Sequence, residues 1–326
     1  MAKAVDWESR IGRRLRLRDL HMFFAVAECG SMAQAGARLR VTQPAVSKAV
    51  GDLEAALGVR LLDRSPHGVT PTVYGHALLK CGVAVFDELR QGIRAIEHLA
   101  DPAAGELRIA TQGGSLAALI IAPIIEQFAA EYPRIDFHVA QLISPTFEFP
   151  ELHDRSVDLV LTFLPGPAAG SRLGADLNIE ILLDNRLFVA AGIHSRWAHR
   201  RKVELAELID EPWLLGPAGS WSRAFVDEAF GMKGLASPRT KVATYAGSLI
   251  EPLVSTGRYI WVTGGFSLRM MGERLGATAL PIDLPVWPWP VAIVTLKHRT
   301  MSPVVELFIE RVRAFVAQHR GQVDRA

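Results

Sequence analysis

Ser31-Met32-Ala33-Gln34-Ala35-Gly36-Ala37-Arg38-Leu39-Arg40-Val41-Thr42-Gln43-Pro44-Ala45-Val46-Ser47-Lys48 is the stretch from which the fold is read. Ser31 is a good N-cap for a helix over Met32 to Leu39. Arg40-Val41 makes a tight turn. Thr42 caps the next helix, with Gln43-Pro44 in the first turn, where proline costs least. That helix runs to about Leu57, and Gly58 stops it. Its inward face is Ala45, Val46, Ala49, Val50 and Leu53, which leaves Gln43, Ser47 and Lys48 outward. Upstream, Leu17, Leu20, Phe23, Phe24 and Ala27 recur at helical spacing, and Cys29-Gly30 ends that helix with glycine in the left-handed cap position.

Two short helices joined by a tight turn form a helix-turn-helix, whose second helix enters a DNA major groove. There glutamine pairs with adenine, lysine with guanine, and serine with either. Downstream, Val59 to Arg64 has strand character, Ser65-Pro66-His67-Gly68 is a turn, and Val69-Thr70 returns. This small hairpin, or wing, brings Arg64 and His67 to the phosphates. Any three-helix bundle shows the same apolar spacing, so pattern alone leaves a purely structural bundle open.

Charge distribution favours the first reading. The net charge of the 326 residues is +2. Residues 1–100 hold 14 Lys/Arg against 10 Asp/Glu, and the remainder holds 22 against 24. The excess concentrates in Arg10, Arg13, Arg14, Arg16 and Arg18, which points to a polyanion partner at that end. Hydrophobic residues make up 49% of the chain, enough for real cores in two or three domains. Two cysteines, Cys29 and Cys81, match no disulfide framework or metal motif. The opening residues lack an apolar signal segment. The apolar run Leu116 to Ile125 is broken by Pro123 and is short for a membrane span. The expectation is a cytoplasmic protein without membrane association, metal or cofactor.

Ser31 to Leu39, Val41-Thr42-Gln43-Pro44-Ala45-Val46-Ser47-Lys48, Leu53-Glu54 and Leu57-Gly58-Val59-Arg60-Leu61-Leu62-Asp63-Arg64 together resemble the winged helix-turn-helix of LysR-type transcriptional regulators. The order of everything downstream fits as well. The departures are Gly36 in place of the usual alanine, Leu62 of phenylalanine and Pro71 of leucine, with Gly51 inside the recognition helix. The resemblance implies a multidomain chain: a winged helix-turn-helix over 15–72, a linker helix over 73–100, a hinge over 101–106, and over 107–326 a two-lobed α/β effector domain of periplasmic-binding-protein type II. Lobe one would comprise 107–182 and 284–320, and lobe two 183–283. The implied DNA-contact set on double-stranded operator or promoter DNA is Ser31, Thr42, Gln43, Pro44, Ser47, Lys48, Arg64 and His67. A homodimer or homotetramer is implied too, with RNA polymerase as a further contact.

The residues of each segment agree. Thr72 caps a long amphipathic helix whose stripe is Leu78, Cys81, Val85, Leu89, Ile93 and Ile96. The stripe needs a cover, either a second copy or the chain's own domain, and Cys81 on it reads as a small buried hydrophobe. Asp101-Pro102-Ala103-Ala104-Gly105 reads as the hinge. Beyond it, strands over 107–111, 135–142, 157–163, 186–191, 259–262 and 291–296 alternate with helices over 116–131, 222–230, 248–256, 267–275 and 303–318. A short helical piece falls around Leu152. Such alternation implies α/β layers with largely parallel strands.

Sequence signatures of an enzyme are absent: no Gly-x-Ser-x-Gly, no phosphate-binding glycine loop, no His-Glu-x-x-His. His194 and His199 read as a surface turn. A catalytic use of the two-lobed domain and a ligand-independent DNA-binding protein are the alternatives. In α/β sheets ligands sit beyond the carboxyl ends of strands, which singles out Gln112, Gly113, Gly114 and Ser115 at a helix N-terminus. Ser144, Thr146 and Phe163 follow neighbouring strands, and Gly216 and Tyr245 face them from lobe two. Backbone N–H groups and hydroxyls of this kind suit an anionic small-molecule effector, although Gly-Gly-Ser also serves simply as a turn and cap. Trp287 and Trp289, among Pro285, Pro288 and Pro290, mark either a stiff crossover or an oligomer contact.

Overall fold

The structure, a computed structural model, describes residues 14–65, 68–112, 114–142, 147–164, 174–284 and 288–323. The chain divides into two compact units, Met1–Arg90 and Gln91–Ala326.

The first unit contains α1 (Leu17–Cys29), α2 (Met32–Leu39), α3 (Gln43–Leu57) and an antiparallel hairpin, β1 (Leu62–Ser65) with β2 (Gly68–Pro71). Gly30 ends α1 at φ 63° and donates its N–H to the Val26 carbonyl. The Ser31 hydroxyl accepts from Gln34 N–H and starts α2. Gly58 ends α3 at φ 73°. Thr42 differs from expectation. Its side chain makes no cap bond, and its carbonyl instead accepts from Ala45 and Val46 N–H. The core joins Leu20, Phe23, Val26, Val46, Val50, Leu53, Leu61 and Leu62. Met22 and Ala25 are buried with it, whereas Leu17, in the first turn of α1, is exposed. Gly36 has no room for a side chain, since a Cβ there would lie 2.9 Å from the Val41 carbonyl in the α2–α3 turn.

The long helix α4 (Val73–Ala100) starts on this core and ends in the second unit. Leu78, Leu79 and Phe86 pack on the core, with Phe86 edge-on to Phe24. The missing side chain of Gly82 makes room for Phe24. Leu78 therefore turns inward, and the remaining stripe of Val85, Leu89, Ile93 and Ile96 is exposed on the single chain. Cys81 is exposed too rather than buried, because it faces away from the Leu78–Gly82–Phe86 side.

In the second unit β3 (Ala104–Gln112) is followed by α5 (Gly114–Glu131). The segment expected to be a hinge is short and braced. β3 begins at Ala104, and the Asp101 carboxylate accepts the Arg134 guanidinium at 2.6 and 2.7 Å and Ala103 N–H at 3.1 Å. The Arg134 guanidinium holds the Asp101 carboxyl below the usual carboxylate range. Helix α5 continues through Pro123 rather than breaking there. Proline lacks an N–H and crowds the preceding turn, and the chain widens into a π segment over Ala117–Ile121 to accommodate it. By length and composition α5 is apolar enough to cross a membrane, but Leu116, Ile120, Ile121, Ile124 and Phe128 are buried against the first sheet.

Next come β4 (Arg134–Leu142), α6 (Pro150–His153), β5 (Leu159–Phe163), β6 (Leu177–Leu183), β7 (Leu187–Gly192), β8 (Trp213–Leu215) and α7 (Trp221–Met232). β9 (Thr240–Ala243), α8 (Gly247–Ser255), β10 (Ile260–Gly264), α9 (Gly265–Leu275), β11 (Ala277–Ala279), β12 (Val291–Leu296) and α10 (Pro303–Val323) complete it. One sheet has the order β4-β3-β5-β12-β6 and the other β11-β7-β10-β8-β9. Both are mixed rather than largely parallel. β12 runs antiparallel to β5 and β6, and β7 antiparallel to β10 and β11. The chain enters β7 and β12 from the opposite sheet, so no helical crossover forces them parallel to their neighbours.

Beneath the first sheet lies a buried ion cluster. Asp158 accepts the Arg299 guanidinium at 2.8 Å and the Arg108 backbone N–H at 2.9 Å, with Arg94 of α4 at 3.7 Å. Arg94 and Arg108 also pair with Glu106. Burial works against the Glu106 charge, but the two arginines outweigh it and keep its carboxyl below the ordinary range.

Two expectations follow from this packing. A Cβ at Gly51, in the interior of α3, meets nothing within 4 Å. Gly51→Ala should therefore stabilise the first unit by about 1 kcal/mol, read as a rise in its unfolding midpoint. Asp158→Ala strips a buried guanidinium of its carboxylate and should destabilise the second unit by about 3–5 kcal/mol in a denaturant titration.

Candidate nucleic-acid interface and effector crevice

Helix α3 and the wing form the candidate nucleic-acid interface. Thr42, Gln43, Pro44 and Lys48 are exposed at the start of α3, and Ser47 is half-buried beside them. Ser31 is half-buried and engaged as the α2 cap. Arg64 is exposed on β1, opposite Val69 of β2. His67 lies outside the described residues. Arg14, Arg16 and Arg18 are also exposed, Arg10 and Arg13 lie outside the described residues, and Arg38 is ion-paired with Glu28, which raises its pKa.

Sequence reasoning gave Glu54 no task. Its carboxylate accepts the N–H groups of Leu61 at 2.8 Å and Leu62 at 3.2 Å, so α3 holds the base of the wing directly. From the other side Thr72 donates its N–H to the Leu61 carbonyl and its hydroxyl to the Arg60 carbonyl. The Thr72 oxygen also accepts from Gly75 N–H, as a cap of α4 should. Gly75 has no space for a side chain: a Cβ would sit 2.2 Å from the Leu61 oxygen. The Leu-Glu and Thr-x-x-Gly spacings were the available signals.

In the second unit the expected effector residues fall into separate groups. Gln112, at the end of β3, accepts the Thr162 hydroxyl at 2.7 Å. Thr111, fully buried beside it, has a hydroxyl with no hydrogen-bond partner among the described residues. Gly114 is exposed and Ser115 half-buried in the first turn of α5. Gly113, Ser144 and Thr146 lie outside the described residues. Phe163 stacks on Trp289 at 5.9 Å, and Trp289 meets Trp221 at 4.6 Å. Gly216 is buried and donates its N–H to the Ser222 hydroxyl; a Cβ there would lie 3.1 Å from the Tyr245 ring. Thus Phe163 is brought to Trp289 and Gly216 to Tyr245.

Trp289 is buried on the chain's return to the first sheet, where its carbonyl accepts the Asn185 amide. It belongs to the crossover and not to an exposed contact; Trp287 and Pro285 lie outside the described residues. His194 and His199 are both exposed. Among the described residues no group of three potential metal ligands occurs. A cavity of about 290 Å³ lies beside β7, lined by Arg186 to Val189, Ala279 to Ile282 and Leu284, and none of the expected effector residues lines it.

A family model described as the LysR substrate binding domain matches residues 100–317. One described as the bacterial regulatory helix-turn-helix protein, lysR family, matches residues 17–76. The HTH-type transcriptional regulator GbpR of Azospirillum brasilense is 26% identical over 301 residues, covering 92% of this chain and 86% of that protein. The HTH-type transcriptional activator CmpR of a Synechocystis strain is 26% identical over 298 residues, covering 90% and 93%. Among solved structures, a full-length OxyR variant from Pseudomonas aeruginosa superposes with a TM-score of 0.60 at 21% identity, covering 93% of this chain and 94% of that one. CbnR, a LysR family transcriptional regulator, does so with 0.55 at 21% identity, covering 93% and 99%. At these identities the structural likeness is one of fold.

Proposed function

The chain belongs to the LysR family of transcriptional regulators, and from that premise we propose how it works: α3 and the wing bind double-stranded operator DNA under the control of a small anionic effector held by the second unit. The observation that carries the DNA reading is the exposed polar start of α3, Gln43, Pro44 and Lys48, beside exposed Arg64 on the wing. A groove-reading helix needs polar side chains in its first turns, and a wing needs a cation for phosphate. The effector reading is supported by the hydroxyl and amide groups at the end of β3 and the start of α5, with the Thr111 hydroxyl, unpartnered among the described residues, beside them. No lysine or arginine stands in residues 111–115, so backbone N–H groups and hydroxyls would hold the anion. Family membership disfavours the enzymatic alternative, since its members regulate transcription.

The working form in this reading is a cytoplasmic homodimer, or a homotetramer built from it, that meets RNA polymerase at the promoter. The exposed stripe on α4 supports self-association: Leu89 is 47% and Ile93 49% exposed on the single chain. Apolar side chains in a row on a long helix gain about 25 cal/mol for each Å² that a second copy covers.

Two measurements test this. On a duplex selected from random DNA by the wild-type protein, Gln43→Ala should lower sequence preference by about 1–3 kcal/mol at one base position per half-site. Arg64→Ala should weaken selected and random duplexes alike and flatten the salt dependence. Unchanged binding by both variants would remove α3 and the wing from the interface. Leu89→Arg, in turn, should place an unpaired charge in the α4 seam and dissociate the oligomer in sedimentation at micromolar concentration. An unchanged oligomer would place self-association elsewhere.

A further inference from the structure

We propose that Glu54 is a positioning residue for DNA reading: its carboxylate fixes the wing to the recognition helix, so that Arg64 and the first turn of α3 meet one DNA surface together. The inference rests on the DNA-contact reading above and extends it to a residue that need not touch DNA.

The geometry is a clamp on one peptide segment. Leu61 and Leu62 are buried, so their N–H groups need partners away from water. One oxygen of Glu54 accepts both. The carbonyls of Arg60 and Leu61 are taken by Thr72, and Gly75 packs so close that a Cβ there would lie 2.2 Å from the Leu61 oxygen. β1 begins at Leu62, and Arg64 is two residues on. The α4 side of the clamp is Thr72, through its N–H and its hydroxyl. The α3 side is the Glu54 carboxylate, and releasing it frees the wing base to swing relative to α3.

Electrostatics makes the proposal sharp. A carboxylate on a helix that reads a polyanion opposes binding through space. If Glu54 were only a negative charge near DNA, its removal would tighten binding. If it positions the wing, its removal weakens binding despite the lost charge. The two readings differ in sign.

The test uses the full chain and the selected duplex, with affinity followed by fluorescence anisotropy at fixed salt. Glu54→Ala should weaken binding by about tenfold, the loss of one charge-assisted contact. Adding Arg64→Ala to Glu54→Ala should cost nothing more, because the displaced arginine no longer reaches phosphate. Glu54→Gln keeps an acceptor oxygen at the same reach and should bind at least as tightly as wild type. Glu54→Asp keeps the charge but is one methylene short, and should bind less tightly than wild type, whereas a mere charge would leave binding unchanged. That comparison decides the matter even if Glu54→Ala does not fold. Binding by Glu54→Ala equal to or tighter than wild type, full multiplication of the Glu54 and Arg64 effects, or binding by Glu54→Asp equal to wild type would overturn the proposal. Arg64→Ala alone separates the two levels. If it leaves binding unchanged, the DNA-contact reading falls and this inference with it; if it weakens binding while Glu54→Ala does not, only the inference falls.

Discussion

The peptide segment Arg60–Leu62 is the point on which the first unit turns. It follows the recognition helix, opens the wing, and carries the first turn of α4 on its carbonyls. Leu61 and Leu62 are buried, so their N–H groups must find partners within the protein. Glu54 serves the N–H side and Thr72 the carbonyl side. Helix α3, the wing and the start of α4 are all hydrogen-bonded to this one short stretch of chain.

Helix α4 passes from the first unit into the second at Arg90–Gln91. Its last turns are held by ions rather than by apolar packing: Arg94 reaches Glu106 and, more distantly, Asp158, which is itself tied to Arg299 and to the Arg108 backbone. Such buried clusters add little net stability against an apolar substitute but make one arrangement strongly preferred, since removing a single partner strands a charge. Further along, Asn185 stands where the chain first leaves one sheet for the other. Its amide donates to the Trp289 carbonyl on the return crossing, and its oxygen accepts Phe266 N–H at the start of α9. Phe163, Trp289 and Trp221 stack across the same region. Both crossings are thus fastened together next to Phe163.

What was legible in the sequence was local. Gly30, Ser31 and Gly58 act through their own conformation or a partner a few residues away, and each sits as its residue type implies. The apolar periods of α1, α3 and α4 likewise read directly. What was not legible depended on distant partners. Glu54 acts on N–H groups in another element, Asp158 on an arginine 141 residues away, and Gly75 and Gly82 on atoms brought near only by folding. Strands β6, β8, β9 and β11 escaped notice because they are short or lie at sheet edges, where alternation has little length to show. The parallel bias failed for a topological reason, the double crossing between sheets. Thr42 shows the limit even of local rules: a residue suited to capping by its hydroxyl caps here by its carbonyl alone. Gln112, Phe163 and Gly216 do stand at strand ends, but the contacts of Phe163 with Trp289 and of Gly216 with Tyr245 were not legible.

If α3 and the wing together form the surface that meets DNA, both should be shielded when it binds. Amide hydrogen exchange of the full chain, with and without the selected duplex, measures this. DNA should slow exchange in peptides covering residues 42–48 and 62–71 together. Protection confined to other segments, or protection of α3 with no change in the wing, would contradict it.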